Sequence, residues 1–159
     1  MGLLVAGCDY FDEPANRKIS DARAVAMVEA AQKRLPPRQA VVPQPLPPHV
    51  RQLAGSQGAG CAFSMSAYDA GPIFLAGPNR GEMKLGGALV VLAADRGSVE
   101  VSPGLRQQYD GKQMSVQIAR NANDTTNVAK GQRWPAKLTI RDKYDRPVYF
   151  GVGMMACDS

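Results

Sequence analysis

The alternation of apolar and polar residues is most regular in the last third of the chain. Three runs there place an apolar residue at every second position. Because successive side chains of a β-strand point to opposite faces, each run predicts a strand with one face in a hydrophobic core. Residues 144–147, between the second and third runs, predict a hairpin turn. The apolar positions are Met114, Val116 and Ile118; Ala136, Leu138 and Ile140; and Val148, Phe150 and Val152.

Shorter apolar runs precede these, separated by Gly, Pro, Asn or Asp, and they predict strands at residues 61–68, 72–76, 82–85 and 88–93. Seven or eight short strands from residue 61 onward predict a mainly β domain, a small antiparallel sandwich or barrel. No helix-length segment separates these strands, which argues against a parallel sheet. We therefore expect the β domain to span residues 61–159.

The first third of the chain predicts a tether and a linker. Residues 21–35 are rich in alanine and predict one helix, with Ser20 as its N-cap and the paired prolines at 36 and 37 as its end. This helix lies within a tether of residues 9–35. Six prolines between positions 36 and 48, followed by several glycines, predict an extended Pro/Gly-rich linker over residues 36–60.

Composition restricts the class of protein. A chain of 159 residues with 45% hydrophobic residues is long enough for one ordinary domain. Its net charge of +5 is spread along the chain, and the longest basic runs are two residues. Because nucleic-acid readers gather positive charge on one face, we do not expect a nucleic-acid partner.

Residues suited to catalysis are few. The single histidine, His49, lies among prolines, so neither a Ser-His-Asp nor a Cys-His site is expected. No Cys-x-x-Cys pair accompanies that histidine, and we expect no metal and no cofactor. A carboxylate-dependent hydrolase is an alternative, because acidic residues from separate strands can converge in space. The candidates are Asp69, Glu82, Asp95, Glu100 and Asp110.

The N-terminal residues carry a resemblance. Leu3 and Leu4 are followed by Val5-Ala6-Gly7-Cys8, which resembles the lipobox of bacterial lipoproteins. No Lys or Arg precedes Cys8, whereas secretory signals begin with positive charge, so we expect the leader to begin upstream of Met1.

The resemblance implies that Cys8 is lipidated and anchors the protein to a membrane of the bacterial envelope, facing the periplasm. In the enterobacterial version of this system, an aspartate after the lipidated cysteine favours the inner membrane, and Asp9 occupies that position. An oxidising envelope compartment would also allow Cys61 and Cys157 to form a disulfide. The alternative is a soluble cytosolic protein in which both are free thiols.

The sequence thus predicts an envelope lipoprotein whose β domain binds a partner protein rather than catalysing a reaction. Its general architecture is similar to that of small lipid-anchored lysozyme inhibitors, which suggests inhibition of a periplasmic hydrolase as a further alternative. Long polar loops on a rigid scaffold often carry recognition, and residues 121–133 form the longest such stretch. The expected partner contacts are Asn123, Asp124, Lys130, Arg133 and Trp134.

Overall fold

A computed structural model of the chain describes residues 14–56, 58, 60–65, 71–120 and 133–157. The chain divides into two compact units, Met1–Pro37 and Arg38–Ser159. In chain order the elements are α1 (Pro14–Gln32), β1 (Pro43–Gln44), α2 (Pro48–Ser56), β2 (Cys61–Met65), β3 (Phe74–Ala76), β4 (Arg80–Leu85), β5 (Ala88–Ala94), β6 (Glu100–Ser102), β7 (Leu105–Arg106), β8 (Gln108–Asp110), β9 (Met114–Arg120), β10 (Arg133–Asp142) and β11 (Pro147–Cys157).

The first unit contains α1, which is longer at its start than the sequence predicts. The helix begins at Pro14, and proline suits the first turn because the amide hydrogen it lacks has no partner there. Ser20 therefore lies inside the helix, and the prediction that it forms the N-cap is wrong. Every side chain from Ser20 to Gln32 is exposed.

The second unit is a closed antiparallel barrel of eight strands. Strands β2, β3, β4, β5, β8, β9, β10 and β11 pair in that order, and β11 pairs back with β2. The hairpin β6–β7 is inserted between β5 and β8. The structure confirms the predicted mainly β, antiparallel class, and of the two architectures considered it is the barrel. Closure gives every barrel strand a neighbour on both sides, which limits the backbone edge that could pair with other chains, although β5 meets β8 only at Ala93 and Ala94.

Large side chains fill the interior of the barrel. Phe63, Phe74, Tyr109 and Trp134 are each at most 1% exposed, together with aliphatic residues from the remaining strands. The rings of Phe74 and Tyr109 pack edge to face with centroids 5.3 Å apart. A barrel of eight strands is just wide enough for side chains to fill it, and the described residues that point inward form one continuous hydrophobic core.

Tyr109 also makes two polar contacts inside the barrel. Its hydroxyl donates to the carbonyl oxygen of Gly77 at 3.0 Å and accepts from the backbone N–H of Arg106 at 3.1 Å. Burial raises the pKa of Tyr109 to about 12, so the hydroxyl keeps its proton near neutral pH. Through these contacts Tyr109 of β8 links the β3–β4 turn to the end of β7.

The predicted turn at residues 144–147 is confirmed between β10 and β11. The Asp142 carboxylate accepts hydrogen bonds from the backbone N–H groups of Tyr144 (2.9 Å) and Arg146 (3.0 Å). Its second oxygen accepts from the Arg146 Nε at 2.8 Å. Desolvation opposes ionisation of this carboxyl, but the hydrogen bonds from Arg146 and Tyr144 outweigh it and lower the pKa of Asp142.

The side chains of β11 differ from the predicted alternation. Tyr149 pairs with Ile140 and Pro147 pairs with Arg141, so Val148 is an extra residue that forms a β-bulge. The bulge inverts the alternation after it, because one added residue exchanges the two faces of a strand. Val148 is buried whereas Phe150 is 60% exposed and Val152 is 44% exposed, so the prediction that these three residues share one face is wrong.

Residues 38–56 belong to the barrel unit, which corrects the prediction of a linker over residues 36–60 and of a β domain starting at residue 61. The backbone N–H of Val41 donates to the carbonyl oxygen of Val148 at 3.2 Å, and β1 pairs with the end of β4. Leu46 is 2% exposed, and α2 follows it. The prolines keep this segment extended, and its few apolar side chains attach it to the barrel.

Candidate functional site

The chain between β1 and α2 is held on the outside of the barrel by hydrogen bonds. Gln44 of β1 pairs with Lys84 of β4, and its side-chain oxygen accepts from the backbone N–H of Gly87 at 3.0 Å. Gly87 lies in the turn between β4 and β5 and has a φ of 84°, a conformation that favours glycine. The backbone N–H of Leu46 donates to the carbonyl oxygen of Pro72 at 2.8 Å. These contacts set the position at which α2 begins.

Helix α2 covers the outer face of β2 and β3. It begins at Pro48, and the carbonyl oxygen of Pro47 accepts from the backbone N–H groups of Val50 (3.1 Å) and Arg51 (3.2 Å). Leu46 and Ala54 form a small buried cluster with Leu75, which points outward from β3. Val50 of the helix and Ala62 of β2 pack against this cluster.

A pocket of about 270 Å³ lies between the start of α2 and the β4–β5 hairpin. It is smaller than the sites that hold drug-sized ligands, so its size suits a single side chain or a small ligand. Leu89, on the β5 side, is 48% exposed and continues the apolar surface beyond the pocket. The lining residues are Leu46, Pro47, His49, Val50, Lys84, Gly87 and Leu89.

The lining combines aliphatic walls with two polar side chains. Lys84 carries an ammonium group, and His49 carries at least one ring N–H in every protonation state. Within the described part of the chain, Lys84 has no ion-pair partner. The arrangement therefore suits a ligand that places an apolar group beside a carboxylate.

Sequence reasoning did not identify this pocket, because the proline count indicated a linker. The available signal is the spacing of four between Leu46, Val50 and Ala54, which predicts one face of a short helix. From the sequence, His49 is weighed only as a catalytic base or a metal ligand. The structure places it at the rim of an apolar pocket instead.

The predicted partner contacts are not brought together. Asn123, Asp124 and Lys130 lie outside the described residues. Arg133 is exposed at the start of β10. Trp134 is 1% exposed in the barrel core, so its assignment to a contact surface is wrong. It precedes Ala136, Leu138 and Ile140 in the inward alternation of β10, which places its ring inside.

Trp134 has two further features. The Arg120 guanidinium lies 5.1 Å from the centroid of its ring, within the range of a cation–π interaction. Its indole N–H is buried and has no hydrogen-bond acceptor among the residues that the structure describes.

Four of the five carboxylates considered for hydrolysis have a local partner, and Asp69 lies outside the described residues. Three of the four accept a hydrogen bond from a group at most four residues away in the chain. The fourth, Glu82, is 4% exposed and pairs with an arginine of its own strand. Each of these contacts stabilises a turn or a strand locally. The contacts are Glu82 with Arg80 (2.6 Å), Asp95 with the backbone N–H of Gly97 (2.8 Å), Glu100 with the backbone N–H of Gly104 (2.9 Å) and Asp110 with the Gln108 amide (2.9 Å).

The structure joins Cys61 and Cys157 in a disulfide, as predicted. The two residues are register partners at the seam where β2 meets β11. This bond is compatible with an oxidising compartment. Cys8, the expected lipidation site, lies outside the described residues.

In the described ranges no three His, Cys, Asp or Glu side chains form a cluster that could hold a metal ion. No helix in that part of the chain is both long and apolar enough to span a bilayer. Comparisons with known protein families, with curated proteins and with solved structures found no match.

Proposed function

We propose that this protein is a bacterial envelope lipoprotein, anchored through Cys8, whose barrel binds a partner protein at the pocket beside α2. The observation that carries the proposal is the pocket itself, a concave and largely apolar site with Lys84 and His49 in its lining. Because the barrel interior is filled with side chains, binding is assigned to the outer surface.

The chemistry of the pocket defines the feature that the partner presents. Aliphatic walls from Leu46, Val50 and Leu89 favour an apolar side chain, and the Lys84 ammonium favours a carboxylate beside it. A C-terminal apolar residue has both groups, as does an apolar residue next to Asp or Glu. The prediction that the partner is a hydrolase such as lysozyme stays a prediction, as do the alternatives of a carboxylate hydrolase and a cytosolic protein.

The pocket can be tested with N-acetyl-leucine as the probe. We expect it to shift the backbone NMR signals of His49 and Leu89, because its side chain and carboxylate match the lining. The matched ligand N-acetyl-leucinamide, which lacks the charge, should bind at least about fivefold more weakly, given about 1 kcal/mol or more for a charge-assisted contact.

Leu89→Ser should strongly weaken these shifts. Val91→Ser is the matched control, because Val91 occupies the same outer face of β5 and is 52% exposed but does not line the pocket. Equal binding of the acid and the amide, or equal loss in both variants, would contradict the assignment.

The anchor has its own test. When the protein is expressed from its native gene in a bacterial host, we expect it in the membrane fraction, with an N-terminal peptide whose mass shows acyl chains on Cys8. The Cys8→Ala variant should leave the membrane fraction because the acyl chains supply the anchoring energy. An unmodified Cys8 in the cytosolic fraction would contradict this part of the proposal.

A further inference from the structure

The outer face of β10 and β11 carries exposed apolar and cationic side chains, and we call it the β10–β11 wall. The bulge at Val148 turns Phe150 and Val152 outward, where they are 60% and 44% exposed. Arg133 and Lys137 occupy outward positions on β10, and Arg133 is exposed. These four residues, Arg133, Lys137, Phe150 and Val152, define the wall.

The strand register brings the two kinds of side chain together. Lys137 lies directly opposite Val152, and Thr139 lies opposite Phe150. Side chains of directly opposed residues on one face have Cβ atoms about 5 Å apart. The lysine stem therefore runs beside the valine, and its ammonium group extends past the apolar pair, as amphipathic lysines do at interfaces.

The wall has one sign of charge. On its β9 side, the outward positions opposite β10 hold Ser115, Gln117 and Ala119, which are uncharged. Within the described residues, neither Arg133 nor Lys137 makes an ion pair, whereas Arg141 at the end of the strand has Asp145 at 3.6 Å. The wall therefore has two cations available to an anionic partner.

The shape of the wall distinguishes between anionic partners. The outside of a closed barrel is convex, so a folded protein partner would need a complementary concave surface to bury it. A bilayer interface needs no such match, because headgroups and acyl chains rearrange around an aromatic side chain flanked by cations. Lys137 lies beside Val152 and Arg133 lies four residues before Lys137 on β10, so the wall combines an exposed apolar pair with positive charge on the same face. Apolar burial and attraction to anionic lipid are the two contributions by which a protein surface binds a bilayer interface.

We propose that the β10–β11 wall docks on an anionic phospholipid bilayer, with Phe150 and Val152 in the interface and Arg133 and Lys137 at the headgroups. This inference is independent of the pocket and of acylation at Cys8, since the wall supplies its own apolar and ionic contacts. Docking would leave the outer face of β4 and β5, which lies on other strands of the barrel, to contact a partner.

The test uses the full chain with Cys8→Ala, so that acyl chains do not contribute. Cosedimentation is measured with vesicles of phosphatidylcholine, with and without one third phosphatidylglycerol. We expect binding only to the anionic vesicles, weakening as salt rises. Lys137→Gln should weaken binding by about fivefold and Arg133→Gln with Lys137→Gln by about thirtyfold, at about 1 kcal/mol per cation.

Phe150→Ser should also weaken binding, and its exposed position leaves the fold intact. Lys112→Gln is the matched control, because it removes the same charge from the exposed turn between β8 and β9. The proposal is overturned if the wall variants bind vesicles as tightly as this control. It is also overturned if the wall binds poly-glutamate and not vesicles, since the partner would then be an acidic polypeptide.

Discussion

Replacing Cys61 and Cys157 together with alanine is expected to lower the free energy of unfolding by about 4 to 5 kcal/mol. The disulfide closes a loop with a sequence separation of 96. In the chain-entropy model, a cross-link over a loop of about 100 residues restricts the unfolded chain by roughly that amount. This is a large part of the total stability of an ordinary domain, which is about 5 to 15 kcal/mol.

The position of the bond explains why the native barrel accommodates it. Six of the eight junctions of the barrel join strands that are consecutive along the chain, and β5 and β8 meet across the inserted β6–β7 hairpin. The eighth junction joins β2 and β11, the first and last strands of the barrel. Their pairing brings Cys61 opposite Cys157, at 4% and 5% exposure. Alanine at both positions keeps the pairing register and removes the link together with two sulfur atoms that pack in the core.

Urea unfolding of the double variant and of the native protein, each with and without reductant, provides the measurement. Reductant should lower the midpoint of the native protein most of the way to that of the double variant, which lacks the two buried sulfur atoms as well, and the double variant should not respond to reductant. If the free energies of unfolding of the native protein and the double variant differ by less than about 1 kcal/mol, the entropic role of the bond is contradicted. The chain-entropy model gives a much larger value for a loop of this length. Loss of the folded state in the double variant would agree with the expectation.

The alternation of apolar and polar residues correctly predicted the core-facing positions of β9 and β10, because no bulge interrupts the pairing of these two strands. In residues 114–118 and 136–140, the strands pair without interruption, and each apolar position predicted to face the core is buried or half-buried. Trp134 follows the same alternation two residues before Ala136. Extending the pattern by one step would have placed its ring in the core, where the structure has it.

The apolar–polar pattern gave wrong predictions where the environment of a residue is determined by parts of the chain that are distant in sequence. Nothing local in residues 147–152 shows that Val148 is an extra residue, because the bulge is defined only by the register with β10. The proline-rich segment fails for a related reason. Proline content reports the backbone conformation, which is largely extended as expected, but it does not report whether Leu46 finds a hydrophobic partner.

Leu46→Ala should lower the free energy of unfolding by about 2 to 4 kcal/mol, because residues 38–56 are folded against the barrel. Leu46 is 2% exposed and packs with Ala54 and Leu75. Truncation to alanine loses the free energy gained by burying the leucine side chain. It also leaves a cavity over the outer face of β3, which adds a second cost. A linker residue would show no such cost.

Leu53→Ala is the matched control, because it removes the same atoms from the adjoining helix at a position that is 57% exposed. It should change the free energy of unfolding by less than about 0.5 kcal/mol, as surface substitutions commonly do. Both variants are compared by urea midpoint at an unchanged m-value. Equal small effects would mean that residues 38–56 detach from the barrel in solution. The pocket would then lose the wall formed by Leu46, Pro47, His49 and Val50, because only Lys84, Gly87 and Leu89 belong to the barrel strands and their turn.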